Sequence, residues 1–153
     1  GLRTHDITAS FAGSTTTATL NRDFKLIATA SAGGTIASNP VVNLAGVFRA
    51  EGSGVQLTAT PTTGATFAGW SGDTVTRNPI ITLPMGRPYT VTAVFVTTAD
   101  VVAHLLGPTA PLTLVQQQAL DANGNNNGSF DVGDFLAWVK ATGAPLSSKG
   151  VRP

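Results

Sequence analysis

The sequence predicts a mainly β fold, a small antiparallel β domain followed by a short α-helical unit. Three observations carry that prediction. From His5 to about Val96, β-branched and aromatic residues alternate with small polar ones in short runs broken by turn signals. At Thr97 the period changes, and apolar residues recur at helical spacing. Between the second and third helical runs lies a polar loop, DANGNNNGSFDVGD, from Asp121 to Asp134.

In chain order the candidate strands are Ile7 to Phe11, Thr15 to Leu20, Phe24 to Ala30, Thr35 to Ser38, Val47 to Ala50, Val55 to Thr60, Ala65 to Trp70, Pro79 to Leu83 and Tyr89 to Val96. Between them lie Gly33-Gly34, Asn39-Pro40, Gly52 to Gly54, Pro61 to Gly64, Ser71 to Asp73 and Pro84 to Gly86. These residues supply the positive or fixed φ values that reversals need. Short strands with frequent turns imply antiparallel pairing. Thr15 to Thr19 is too polar for a core strand, so the first 23 residues are expected to form an added edge strand or the tail of a preceding domain.

Thr98-Ala99-Asp100 can start a helix in which Val101, Val102, Leu105 and Leu106 share a spacing, and Gly107-Pro108 stops it. Pro111 to Leu120 predicts a second helix capped by Thr113. Val132 to Lys140 predicts a third, with Phe135, Leu136 and Val139 on one face. The chain therefore divides without a long linker into a β domain over 1–97, a helical unit over 98–145 and a tail over 146–153.

Composition narrows the setting. Apolar residues make up 42% of the 153 residues and charged ones 11%, against roughly 25% charged in ordinary soluble domains. A polar but hardly charged surface suits an extracellular β protein, and a net charge of +1 offers nucleic acid no electrostatic footing. Cysteine is absent, which excludes disulfides, thiolate zinc sites and thiol nucleophiles. No apolar run approaches the roughly 20 residues of a membrane span. The segment GLRTHDITAS lacks the basic start and apolar centre of a signal peptide. The expectation is thus an exported, extracellular protein, its signal lying outside this chain, and a piece of a longer precursor.

Four landmarks in the β region carry a resemblance. They are Ala32-Gly33-Gly34-Thr35-Ile36-Ala37-Ser38-Asn39-Pro40, Val55-Gln56-Leu57-Thr58-Ala59-Thr60-Pro61, Phe67-Ala68-Gly69-Trp70-Ser71-Gly72-Asp73 and Val91-Thr92-Ala93-Val94-Phe95. In this order they resemble the bacterial repeat domains related to the internalin-type B-repeat, over residues from about 24 to 96. The resemblance implies a β-grasp-like or sandwich-like module on secreted or surface proteins, acting as spacer or interaction module and not as a catalyst. Read physically, Trp70 ends a strand just before Ser-Gly-Asp, so its indole can plug the core. The functional alternative is a sugar-stacking surface formed by Trp70 with Asp73 or Tyr89.

The polar loop has the spacing of an EF-hand. Counting from Asn123, Asn125 and Asn127 fall third and fifth, Gly128 sixth, Ser129 seventh, Phe130 eighth, Asp131 ninth and Asp134 twelfth. Such oxygen donors suit Ca2+, a hard cation that takes six to eight of them. Gly128 permits the bend, Phe130 anchors the loop to the helices, and the Ser129 carbonyl is the backbone donor. Two features depart from the usual pattern: Asn123 stands where an Asp is normal, with Asp121 two residues earlier, and the twelfth residue is Asp134 rather than Glu. A short twelfth ligand resembles dockerin loops. Leu120-Asp121, Gly124-Asn125, Asn127-Gly128, Phe130 to Asp134 and Ala137-Trp138 also resemble the C-terminal helical segments of secreted bacterial proteases and surface proteins. In that variant Asp121 replaces Asn123 as first ligand through an enlarged loop. The bland alternative is a metal-free turn in which Asp131 only caps the last helix. A true dockerin has two such loops; this chain has one, which points to a calcium staple for a helical unit rather than to cohesin recognition.

Catalysis finds no motif. His5 and His104 stand apart, without a Gly-x-Ser-x-Gly elbow or a His-Glu-x-x-His pair, and Asp6, Asp23, Glu51, Asp73 and Asp100 form no recognisable acid and base pair. The expected function is a non-catalytic, calcium-stabilised accessory or surface module acting in attachment, spacing or assembly. Its expected partners are other protein modules, copies of itself or a surface glycan. Alternatives are a self-assembling subunit of an extracellular fibre or layer and a carbohydrate-binding module.

Overall fold

A computed structural model describes residues 22–107 and 112–143. The expected strands at 7–11 and 15–20, His5 and the tail at 146–153 lie outside the described residues.

Among the described residues, seven strands precede three helices. The strands are β1 (Asp23–Ala30), β2 (Gly34–Asn39), β3 (Val47–Ala50), β4 (Gly54–Pro61), β5 (Ala65–Gly72), β6 (Ile80–Pro84) and β7 (Tyr89–Thr97). They form two sheets, one ordered β3-β1-β7-β5 and the other β2-β4-β6. Pairing is antiparallel except between β1 and β7, which run parallel. The expectation of purely antiparallel pairing is corrected there. The last strand enters the sheet between β1 and β5, and the chain from β2 to β6 serves as the long connection that a parallel pair requires.

Period-two alternation aims one side of every strand into a shared interior. Phe24, Leu26 and Ala28 from β1, Val55, Leu57 and Ala59 from β4, Ile81 and Leu83 from β6, and Val91, Ala93 and Phe95 from β7 make a single buried cluster. Strand β5 breaks the alternation to join it. Strict alternation would send Phe67 and Trp70 to opposite faces, but a bulge between Phe67 and Gly69 adds one residue to the register. Trp70 consequently returns to the inner face beside Phe67, with ring centroids 5.9 Å apart, and Phe67 stands 5.6 Å from Phe95. The residue released outward by the bulge, Ala68, is buried in a second cluster.

That second cluster is where the helices α1 (Thr98–Leu106), α2 (Leu114–Asn123) and α3 (Val132–Thr142) meet the four-stranded sheet. Ala68 and Val96 from the strands pack with Val101, Leu112, Ala119, Leu120 and Trp138. The order of layers is three-stranded sheet, four-stranded sheet, helices. Thr97 belongs to both halves: it ends β7 and caps α1, accepting from the Asp100 amide while Asp100 accepts from the Thr97 amide. No helix among the described residues is long and apolar enough to cross a membrane.

Candidate metal site

Helices α2 and α3 fix the two ends of the polar loop, and both begin with reciprocal caps. Thr113 and Gln116 close α2: Gln116 Oε1 accepts from the Thr113 amide at 2.9 Å. The Gln116 Nε2 then donates to the Phe95 carbonyl at 2.8 Å, a buried bond between α2 and β7. Arg77 Nη2 donates to the Gln118 carbonyl at 3.2 Å. Asp131 and Asp134 close α3: the Asp131 carboxylate accepts from the amides of Gly133 at 2.7 Å and Asp134 at 3.3 Å. Asp134 Oδ2 accepts from the Asp131 amide at 2.8 Å. Trp138 ties the far end of α3 to the sheet, its Nε1 donating to Thr66 Oγ1 at 2.8 Å.

The loop between these helices is wound by side-chain oxygens accepting from its own backbone. Both oxygens of Asp121 accept from the Gly128 amide at 3.2 Å. Asn125 Oδ1 accepts from the Asn127 amide at 3.0 Å, and Asn127 Oδ1 from the Ser129 amide at 2.9 Å. Asp134 Oδ1 accepts from the Asn125 amide at 2.9 Å. Two side-chain amides converge on one carboxylate oxygen, with Asn125 Nδ2 and Asn127 Nδ2 donating to Asp131 Oδ2 at 3.3 and 3.2 Å. Gly128 takes φ +90°, a region that disfavours a side chain. Gly124 is required for space, because a Cβ there would overlap the fully buried carboxylate of Asp134.

The structure therefore brings Asp121, Asn125, Asn127, Ser129, Asp131 and Asp134 into one loop and leaves Asn123 out. Helix α2 runs on to Asn123 rather than stopping at Leu120, and Asn123 Nδ2 donates back to the Ala119 carbonyl at 2.7 Å. Asp121 faces the loop from the last turn and is 8% exposed. Of the two candidates for the first position, Asp121 is the one that faces the other donors. Asn126 makes the turn after α2, held at φ 55° with its amide donating to the Asp121 carbonyl at 3.0 Å.

Three carboxylates lie in this loop, and among the described residues none forms an ion pair with Lys, Arg or His. The Asp131 carboxyl is held below the usual carboxylate range, chiefly by the Gly133 amide and then by the Asn127 side chain. No group of three or more His, Cys, Asp or Glu among the described residues is placed to hold a metal by itself. The donor set fits a hard cation only when the Asn amide oxygens and a backbone carbonyl are counted with the carboxylates. A cavity of about 230 Å³ beside the loop is lined by Leu114, Asp121, Ser129 and Phe130 among others.

The remaining candidates are dispersed. Trp70 is fully buried and its Nε1 donates to the Asn78 carbonyl at 3.0 Å. It plugs the core and presents no ring face to a sugar, which corrects the stacking surface of Trp70, Asp73 and Tyr89. Tyr89 is buried too, with the Arg87 guanidinium 4.3 Å above its ring. Asp73 stands outside that core, where it binds Arg87 Nη1 at 2.8 Å and the Thr90 amide at 2.7 Å and fastens the turn after β5 to β7. Arg87 accordingly holds the Asp73 carboxyl below its usual range. His104 is a packing residue: its Nδ1 accepts from the Leu112 amide at 3.2 Å and its ring lies 5.6 Å from Phe130. The structural roles of Gln116 and Gly124 escaped the sequence reading. The Thr-x-x-Gln spacing of a capping box signals the first; nothing local signals the second, which depends on where Asp134 returns.

Comparison with known proteins bears on the β region. Residues 24–99 match the family model of the divergent InlB B-repeat domain, a span that covers β2 to β7 and nearly all of β1 and ends before the loop. No curated protein and no solved structure matches the chain.

Proposed function

We propose that this chain is a non-catalytic extracellular module whose β region serves attachment, spacing or assembly at a bacterial surface and whose helical unit is stapled by one calcium ion. The match of residues 24–99 to a surface-repeat family supports the first half. One observation carries the second: the side chains of Asp121, Asn125, Asn127, Asp131 and Asp134 are gathered by their hydrogen bonds into a single loop that no basic side chain among the described residues neutralises. Those side chains, with the Ser129 carbonyl, would hold the ion. When bound, calcium supplies the positive charge that offsets three carboxylates at the junction of α2 and α3.

The role is structural. Asp134 is fully buried and caps α3, while Asp121 belongs to the last turn of α2, so fixing both fixes the angle between the helices. Through Gln116 and Trp138 the same two helices hold the outer face of the four-stranded sheet. Amide-rich ligation lowers the charge of the site and suits extracellular calcium, with a dissociation constant of about 10⁻⁴–10⁻³ M as in extracellular modules. Calorimetric titration of calcium into chelator-treated protein tests this. The expected result is one site per chain in that range, lost in Asp134→Asn and kept in Asn123→Ala. Saturation without heat or binding, or binding that survives Asp134→Asn, overturns it.

A further inference from the structure

We infer that Asn127 is a site of spontaneous covalent modification, at which the loop promotes conversion of the Asn127-Gly128 step to aspartyl and isoaspartyl linkages. The reaction is intramolecular. The Gly128 backbone nitrogen attacks Asn127 Cγ, forming a new N–C bond. The Cγ–Nδ2 bond breaks, and the proton lost by the Gly128 nitrogen leaves with Nδ2 as ammonia. Water then opens the cyclic imide at either of its two carbonyls, leaving a carboxylate at position 127 in a normal or a lengthened backbone.

Each participant is held in the folded loop. The N–H that must lose its proton donates to both oxygens of Asp121 at 3.2 Å, so a carboxylate stands ready to take that proton. The carbonyl oxygen on which negative charge develops, Asn127 Oδ1, already accepts from the Ser129 amide at 2.9 Å. The departing nitrogen, Nδ2, is oriented by Asp131 Oδ2 at 3.2 Å. Gly128 has no Cβ to hinder ring closure, it lies at φ +90°, and both residues are exposed.

The chain contains its own comparison, the step Asn123-Gly124. Asn123 lies in the last turn of α2, its Nδ2 tied to the Ala119 carbonyl at 2.7 Å. The Gly124 amide donates to a backbone carbonyl, that of Asp121, at 3.0 Å, and not to a carboxylate. In an unfolded chain the two steps are chemically alike; only the fold separates them. Modification at 127 would replace an amide that donates to Asp131 with a carboxylate that repels it, adding a fourth negative charge to a loop that already holds three.

The test incubates the full chain at mildly alkaline pH with chelator, folded and in urea, and follows both steps by peptide mass spectrometry. A single well-placed oxyanion donor changes reaction rates by on the order of 10²-fold, so a ratio of at least about tenfold in favour of Asn127 is expected when folded. In urea the ratio should fall near one. Asp121→Asn should slow loss at Asn127 several-fold without affecting Asn123. Equal rates in the folded chain, or a folded Asn127 slower than Asn123, overturn the proposal. Should Asp121→Asn not fold, the comparison within the unaltered chain still decides.

Discussion

Trp138 on α3 donates its indole N–H to the hydroxyl of Thr66 on β5 at 2.8 Å, across 72 residues of sequence. Both lie at the layer between the helices and the four-stranded sheet, where Ala68 and Val96 share a cluster with Trp138. The helical unit is thus built onto the β region and completes its outer face.

Removing that anchor should unsettle both halves together. Trp138→Phe keeps most of the packing and loses the hydrogen bond, for a cost of about 0.5–1.5 kcal/mol; Trp138→Ala should cost roughly 3–5 kcal/mol. Urea midpoints followed by far-ultraviolet circular dichroism and by Trp70 emission measure it. The two probes should shift in step. Loss of helix with an unchanged Trp70 transition would mean that the layers fold separately.

Gln116 is the second tie, accepting from Thr113 and donating to Phe95. Gln116→Ala leaves the buried Phe95 carbonyl without that donor and opens the cap of α2, which should cost roughly 1–3 kcal/mol. Gln116→Glu can still accept from Thr113 but cannot donate to Phe95. It should therefore recover little of the loss, and full recovery would show that the cap alone matters.

Trp70 and Trp138 are both fully buried. Emission of the folded protein should be blue-shifted, resistant to acrylamide and unchanged by soluble oligosaccharides. Quenching by a glycan would reopen the stacking role that the buried indole of Trp70 contradicts.

Acid sensitivity follows from Asp73 and Asp131, whose carboxyls lie below their ordinary value of 3.8 in the folded protein. A lowered folded pKa means that the unfolded chain binds the proton first as pH falls. The stabilisation from both groups is therefore fully present above pH 3.8 and is lost as pH drops through the lowered folded values. Denaturation midpoints measured downward from neutral pH should lose this contribution in the acid range below pH 3.8. Asp73→Asn and Asp131→Asn should each flatten the fall.

Much of this arrangement is legible in the sequence, for identifiable reasons. Strands and helices follow from period and from Gly and Pro punctuation, and each expected element within the described residues forms, with ends moved by a few residues. The parallel pairing of β1 with β7 was not legible, because strand order depends on contacts between distant residues. The inward aim of Trp70 beside Phe67 depends on a bulge that strict alternation cannot anticipate. In the loop, oxygen-bearing residues could be named from spacing alone, yet which of Asp121 and Asn123 faces the others could not. It turned on how far α2 continues, and the extra turn to Asn123 carries that side chain back onto its own helix.

The central claim is that calcium staples α2 to α3 through Asp121 and Asp134, and thermal melting with and without calcium tests it most directly. At free calcium about a hundred times the dissociation constant, binding to the native state alone adds about 2.7 kcal/mol. For a chain of this size that corresponds to a rise of roughly 5–10 °C in Tm. The account predicts that rise in the unaltered protein and in Asn123→Ala, and its loss in Asp121→Asn and Asp134→Asn. A Tm that does not respond to calcium, or a response that persists in Asp134→Asn, would contradict it.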